Sequence, residues 1–218
     1  MAQIDDMEAA LSLERFARYV AWAGDDRQRA LALYTLNTQV SEALYIALQT
    51  LEVSLRNRIH SAMAAAHGER WFEDPALIKL EHQASQVADA VAELEEAGKE
   101  ASPGRVVAAL SFSFWTAMFS PAYENLWRST LNKIAIRDAK ALVRKDFSRP
   151  LTQVRLLRNR IAHHEPILHW DLRKHHRSLR ELTVWLSPPA FAWSEPLDRF
   201  DQVYPAEGVI LARDVAKD

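Results

Sequence analysis

Cysteine is absent from the 218 residues. That excludes a disulfide framework, a thiolate zinc cluster and a cysteine nucleophile. Glycine is scarce, with only 5 copies. Gly24, Gly68, Gly98, Gly104 and Gly208 lie too far apart to build a GxGxxG turn or a P-loop. No charge of one sign dominates, because the formal net charge is −2. Any binding of nucleic acid must then come from a local patch and not a global field. No apolar run has membrane length. The longest uncharged stretch, 106–123, is interrupted by Ser111, Ser113, Thr116, Ser120 and Pro121, and reads as a buried core helix. The N-terminus, Met1 to Asp6, is acidic where a signal peptide would be basic. A cytoplasmic protein without a membrane partner is the expectation. His164-Glu165 and His169 miss the HExxH spacing by one residue, and Pro166 breaks the helix that motif needs. No serine sits in a GxSxG turn. Neither a metal nor a cofactor is expected.

What is present is ordinary for a globular chain: 49% hydrophobic and 26% charged residues. The clearest pattern is Leu33, Leu36, Val40, Leu44, Ala47, Leu51, Leu55, Ile59 and Ala62. Its mean step of about 3.6 residues is the α-helical period. Asp74-Pro75, Ser102-Pro103, Ser120-Pro121 and Ser187-Pro188 each join a capping side chain to a proline, a helix-start signal. Asp171 is a fifth start, and Gly98 suits the position past a helix end. No two-residue alternation or Asn-Gly hairpin signal stands out. The sequence predicts an all-α fold of about seven or eight helices. They fall near 8–22, 27–66, 75–97, 103–119, 121–136, 150–164, 172–186 and 188–202. Residues 137–149 are left unassigned, 1–204 form one domain, and 205–218 are a loosely held tail.

Charge concentrates late in the chain. Arg155, Arg158, Arg160, Arg173, Lys174, Arg177 and Arg180 face only Glu165 and Asp171 between 155 and 180. His163, His164, His169, His175 and His176 lie there too, five of the 8 histidines. The plain explanation is two solvated helix faces. The functional one is a polyanion site, since arginine suits phosphate geometry and histidine titrates near neutrality. On a helical wheel, Leu151, Val154, Leu157 and Ile161 make an apolar stripe. His163 points almost opposite, with Asn159 one turn below it and Arg155 one turn below that. Leu156 lies about 20° from His163 and calls for a second surface there, from a partner copy or the C-terminal helices. On the long helix, Glu52, Arg56 and His60 form a ladder of four-residue steps. It is either a surface ion pair or a support for the site. The aromatic block 112–127 reads as core and not as a base-stacking platform.

Four blocks carry a family resemblance. They are Leu51-Glu52-Val53-Ser54-Leu55-Arg56-Asn57-Arg58-Ile59, then Ser111 to Trp115 with Phe119 and Leu126-Trp127. The third runs from Arg155 to Pro166, and the fourth joins Trp185 to Pro188 with Arg199-Phe200. In order and spacing the chain resembles the Abi-like (abortive infection) family of bacterial proteins, within the broader HEPN superfamily. The resemblance implies an all-α, up-and-down helical bundle and an Arg-x(4–6)-His signature on Arg158, Asn159 and His163. His164 also satisfies the looser spacing, with Arg155, Glu52 and Arg56 as supporting residues. Many HEPN proteins are metal-independent endoribonucleases with a site between two subunits, and others only bind or regulate. The implied partners are an RNA substrate, a second copy of the chain, and an antitoxin or regulatory protein.

The chemistry suits those side chains. RNA supplies its own nucleophile, the 2′-hydroxyl. A histidine near pKa 6.5 can take or give the proton. An arginine can stabilise the charge that develops on phosphorus oxygens. Asn159 can orient the phosphate or the imidazole. The rival expectation is a non-catalytic helical module that binds nucleic acid or protein on the same surface.

Overall fold

The computed structural model describes residues 10–212, apart from 12 and 139. The fold is an all-α bundle built around one helix. After helix α1 (Leu13–Trp22), helix α2 runs from Arg27 to His67. Asp26 caps its start, accepting from the backbone N–H of Gln28 and Arg29. Gly68, at φ +90°, ends it. At 1.5 Å per residue its 41 residues make a rod about 60 Å long. Leu33, Val40, Leu44, Leu48, Leu51, Leu55, Ile59 and Met63 are buried along one stripe, so most of the sequence periodicity is the core face.

The other helices are α3 (Glu81–Glu96), α4 (Pro103–Ala109), α5 (Phe112–Ala117), α6 (Glu124–Ser129), α7 (Arg144–Ala162), α8 (Leu172–Leu186), α9 (Pro188–Ser194) and α10 (Phe200–Val203). Different elements cover different lengths of α2. Toward its start, Asn37 accepts from Ile167 N and Glu42 pairs with Arg199. Toward its end, Arg58 donates to Ile134 O and His60 accepts from Trp71 Nε1. The aromatic block lies in this second region. Trp71, Phe114 and Trp115 pack edge-on or tilted, and Phe119, Trp127 and Phe147 form an adjoining cluster. All six rings are buried, as expected of core. Among the described residues no helix is long and apolar enough to cross a membrane.

Several expected boundaries move, each for a reason of its own. Asp74-Pro75 makes a single turn, and α3 begins only at Glu81. Tyr123 Oη accepts from Lys79 N at 3.0 Å and diverts that backbone from a helical ladder. The expected helix 103–119 breaks at Leu110, whose ψ is 136°, because Ser111 caps a new helix by accepting from Phe114 N. The 121–136 segment divides into α6 between 3-10 turns at Pro121–Tyr123 and Leu131–Lys133. The last expected helix, 188–202, breaks at a 3-10 turn containing Pro196, and Asp198 then accepts from Phe200 N. Residues 136–137 and 140–141 form a two-stranded antiparallel ladder, with Ile136 opposite Ala141 and Arg137 opposite Lys140.

Helix α7 starts at 144 and not at 150, so Pro150 lies inside it. An interior proline costs about 3 kcal/mol. Burial of Phe147 one turn earlier, worth roughly 1.5–3 kcal/mol, offsets much of that. Arg144 adds an anchor, bonded to Glu124 at 2.6 Å and to the carbonyl of Phe119. The expected loose tail is tied down as far as 212. Arg29 donates to Ile210 O at 2.9 Å and Ala212 N to Trp22 O at 2.7 Å. Residues 213–218 of that segment, and positions 8, 9 and 12 of the first expected helix, lie outside the described residues.

Candidate functional site

Helix α7 buries Phe147, Leu151, Val154 and Leu157 and presents the opposite side outward. Lys145, Ser148, Arg149, Thr152, Arg155, Leu156, Asn159 and His163 fall on that outer side within about 120° of a helical wheel. All are exposed or half-buried. Among the described residues, the side chains of Arg155, Asn159 and His163 make no hydrogen bond or ion pair. Lys145 and Arg149 join this face because the helix starts early. The apolar steps Phe147, Leu151, Val154 would have found them had Pro150 not been read as a start.

The end of α7 is set by its last backbone bonds. His163 N donates to Asn159 O at 3.0 Å, His164 N to Ile161 O at 3.0 Å and Glu165 N to Arg160 O at 2.8 Å. The last two make a Schellman closure, which needs a left-handed residue and usually takes glycine. His164 occupies it with φ +56°. An ion pair between Arg160 and Glu165 at 3.2 Å clamps the two sides, and Arg160 also lies over the Trp170 ring at 5.4 Å. His163 therefore closes the helix on the line of Asn159 and Arg155, and His164 turns away from it.

Arg158 points elsewhere. Five residues before His163, it sits about 140° away around the helix. It meets Glu52 of α2 at 3.4 Å, with the side chains 36% and 26% exposed. The pair stands in a cavity of about 260 Å³ lined by Tyr45, Leu48, Gln49, Val53, Arg56, Ile161 and Ala162. The expected ion-pair ladder on α2 is not formed, because each member has a partner outside its own helix. Glu52 has Arg158, whereas Arg56 reaches Ala108 O at 3.5 Å, a carbonyl at the negative end of α4. Arg56 Nε is buried without a partner. His60 accepts from Trp71 and lies 3.3 Å from Glu69. The structure thus brings Glu52, Arg56 and Arg158 together on one side of α7. Arg155, Asn159 and His163 stand on the other, with His164 at the turn. Leu156 remains 39% exposed, so the C-terminal helices do not cover it.

The other three histidines of segment 155–180 have structural partners. His176 Nε2 lies 2.6 Å from Asp198 Oδ2, the two side chains being 7% and 10% exposed. Arg180 bonds both Asp198 and Glu195, and the His176 ring stacks on Phe200 at 4.3 Å. Burial works to raise the Asp198 pKa, but bonds from His176, the Phe200 N–H and Arg180 outweigh it and hold the carboxyl below its usual range. His175 uses Nδ1 on Asp171 O at 2.7 Å. His169 packs on Trp22 at 5.3 Å and is pushed down to about 4, first by desolvation and then by Arg160 and Arg18. Among the described residues no group of three or more His, Asp or Glu is placed to hold a metal.

Neither a curated protein nor a solved structure is significantly similar to the chain. The family comparison does match, to the Abi-like proteins, over residues 11–169. That span takes in α1 to α7 and the Schellman turn, and stops short of α8. With most of its length matched, the chain belongs to the Abi-like protein family.

Proposed function

We propose that the protein is a metal-independent endoribonuclease of the HEPN type, acting in phage defence by abortive infection or as a toxin-like protein. The observation that carries this reading is the outer face of α7. It offers an asparagine and a histidine with free side chains, one turn apart, in the family-matched segment. His163 takes the proton of the ribose 2′-hydroxyl. The 2′-oxygen attacks phosphorus, the bond to the 5′-oxygen breaks, and the His163 imidazolium returns its proton to that leaving oxygen. The products are a 2′,3′-cyclic phosphate and a free 5′-hydroxyl. Arg158 stabilises the charge on the phosphoryl oxygens and Asn159 orients the group.

Within one chain Arg158 and His163 face different sides of α7, so this reading calls for a homodimer. A two-fold axis would bring Arg158 of one copy toward His163 of the other. The exposed Leu156 beside His163 gives such a contact an apolar point. The test is incubation of RNA with the protein in EDTA, comparing wild type with His163→Ala and Arg158→Ala. Cleavage by wild type alone, leaving cyclic phosphate ends, supports the enzyme. A second reading has its own observation: Arg158 is already held by Glu52. A non-catalytic module binding nucleic acid or an antitoxin-like protein needs no free arginine there. Tight binding of RNA that stays intact would favour it.

A further inference from the structure

The outer face of α7 continues into a groove that the proposed chemistry does not use. Its first basin, about 570 Å³, lies between α7 and the loop–helix segment 113–121. Arg144, Lys145, Arg149, Arg155 and His82 line it, with the hydroxyls of Ser113, Thr116, Ser120, Ser148 and Thr152. A second basin of about 520 Å³ shares Ser148, Arg149 and Thr152 and adds Gln153, Lys174, His175 and Ser178. Neither basin is lined by an aspartate or glutamate. That is unusual in a chain with 29 acidic residues and net charge −2.

The cations are available. Arg144 is committed to Glu124 and Phe119 O, but the side chains of Lys145, Arg149, Arg155 and Lys174 make no ion pair or hydrogen bond among the described residues. Two polar atoms at the walls, Ser120 Oγ and His175 Nε2, are buried without a partner. A groove rich in free cations and hydroxyls, and free of carboxylates, is suited to a phosphate chain. Hydroxyl side chains can also donate to and accept from ribose 2′-hydroxyls. Phe119 is the one phenylalanine, tyrosine or tryptophan in the lining, and it is buried. Base stacking has no platform, so contact falls on the backbone and is indifferent to sequence.

The geometry points to a single-stranded RNA track: we propose that Lys145, Arg149, Arg155 and Lys174 hold the backbone of the strand that His163 cleaves. The proposal rests on the reading of His163 as the cleaving residue for its direction only. From Arg149 to His163 the helix rises about 21 Å, and from Arg155 about 12 Å. The grip therefore lies several residues from the cut, along the same helix face. Concave basins of this size admit one strand, whereas a duplex presents two backbones across a wider surface.

The test measures binding on a His163→Ala background, where cleavage does not interfere. The probes are a labelled unstructured RNA, a duplex RNA of equal length, and a polyglutamate peptide. Lys145→Gln with Arg149→Gln removes two exposed, unpaired groove charges. Lys99→Gln with Lys133→Gln removes two exposed charges elsewhere. Melting should be the same for both pairs. The groove pair should weaken single-strand binding at least about 10-fold and reduce the slope of log affinity on log salt by roughly 1.4, about 0.7 per lost phosphate contact. The control pair should change affinity less than about 2-fold. Equal losses in both pairs, no loss in the groove pair, or duplex or polyglutamate bound as tightly as the single strand would each overturn the track. Intact RNA with wild type, together with groove-dependent binding, would remove the catalytic reading and leave the track standing.

Discussion

The arginine- and histidine-rich segment 155–180 divides into two regions with opposite uses of the same residue types. On α8, Arg173, His176 and Arg180 hold the fold, while Lys174 stays free beside the groove. His176 and Arg180 converge on Asp198, and Arg173 donates to Pro205 O and Ala206 O and lies over Tyr204. On the outer face of α7, Arg155, Asn159 and His163 have no such partners. The family match includes the second region and excludes the first. What separates His176 from His163 here is a carboxylate within reach, Asp198, which composition cannot reveal.

The contrast can be broken at its strongest point first. Asp198→Ala leaves His176 and Arg180 without their shared buried partner and should cost about 3–5 kcal/mol in urea unfolding. His163→Ala should instead leave unfolding within about 0.5 kcal/mol of wild type. Its loss should appear as RNA cleavage lowered at least about 10²-fold, which an end-labelled substrate would record. Cleavage that survives His163→Ala and dies in His164→Ala would move the assignment by one residue.

Smaller effects sharpen the picture at the end of α7. His164→Gly relieves a left-handed non-glycine residue and should raise stability by about 1 kcal/mol, read from the urea midpoint. Arg158→Ala and Glu52→Gln should each cost less than about 1 kcal/mol, as expected of a half-exposed ion pair. Their double mutant should show a coupling of about 0.5 kcal/mol. The smallest effect concerns pH. His169 titrates near 4 when folded and near 6.5 when unfolded, so the unfolded chain binds the extra proton between those values. Its contribution is present above about pH 6.5 and is lost as pH falls toward 4. Urea midpoints across that window should decline with pH in wild type and decline less in His169→Gln.

The long helix and the stripe of α7 were legible because a 3.6-residue period survives wherever a helix buries one face. Ser187 and Asp171 cap their helices as expected, whereas Ser102 and Ser120 lead into theirs with no side-chain cap bond. Two of the misread boundaries, the starts of α3 and α7, share one cause. Lys79 loses its N–H to Tyr123, 44 residues away, and Pro150 is tolerated because Phe147 and Arg144 are anchored by other elements. Such contacts leave no trace in a local window. The candidate residues could be named from the sequence, but not how they are placed. That Glu52 would turn to Arg158 and not to Arg56 depends on how α2 and α7 cross.

The spine helix also sets an order of assembly during synthesis. Its ladder is local and can close within microseconds of emergence. The partners of its flank come much later: Arg158 lies 106 residues beyond Glu52, Ile167 lies 130 beyond Asn37, and Ile210 lies 181 beyond Arg29. At roughly 5–20 residues per second, a ribosome leaves part of the apolar stripe uncovered for many seconds. During that interval the nascent chain invites chaperones and carries no complete site.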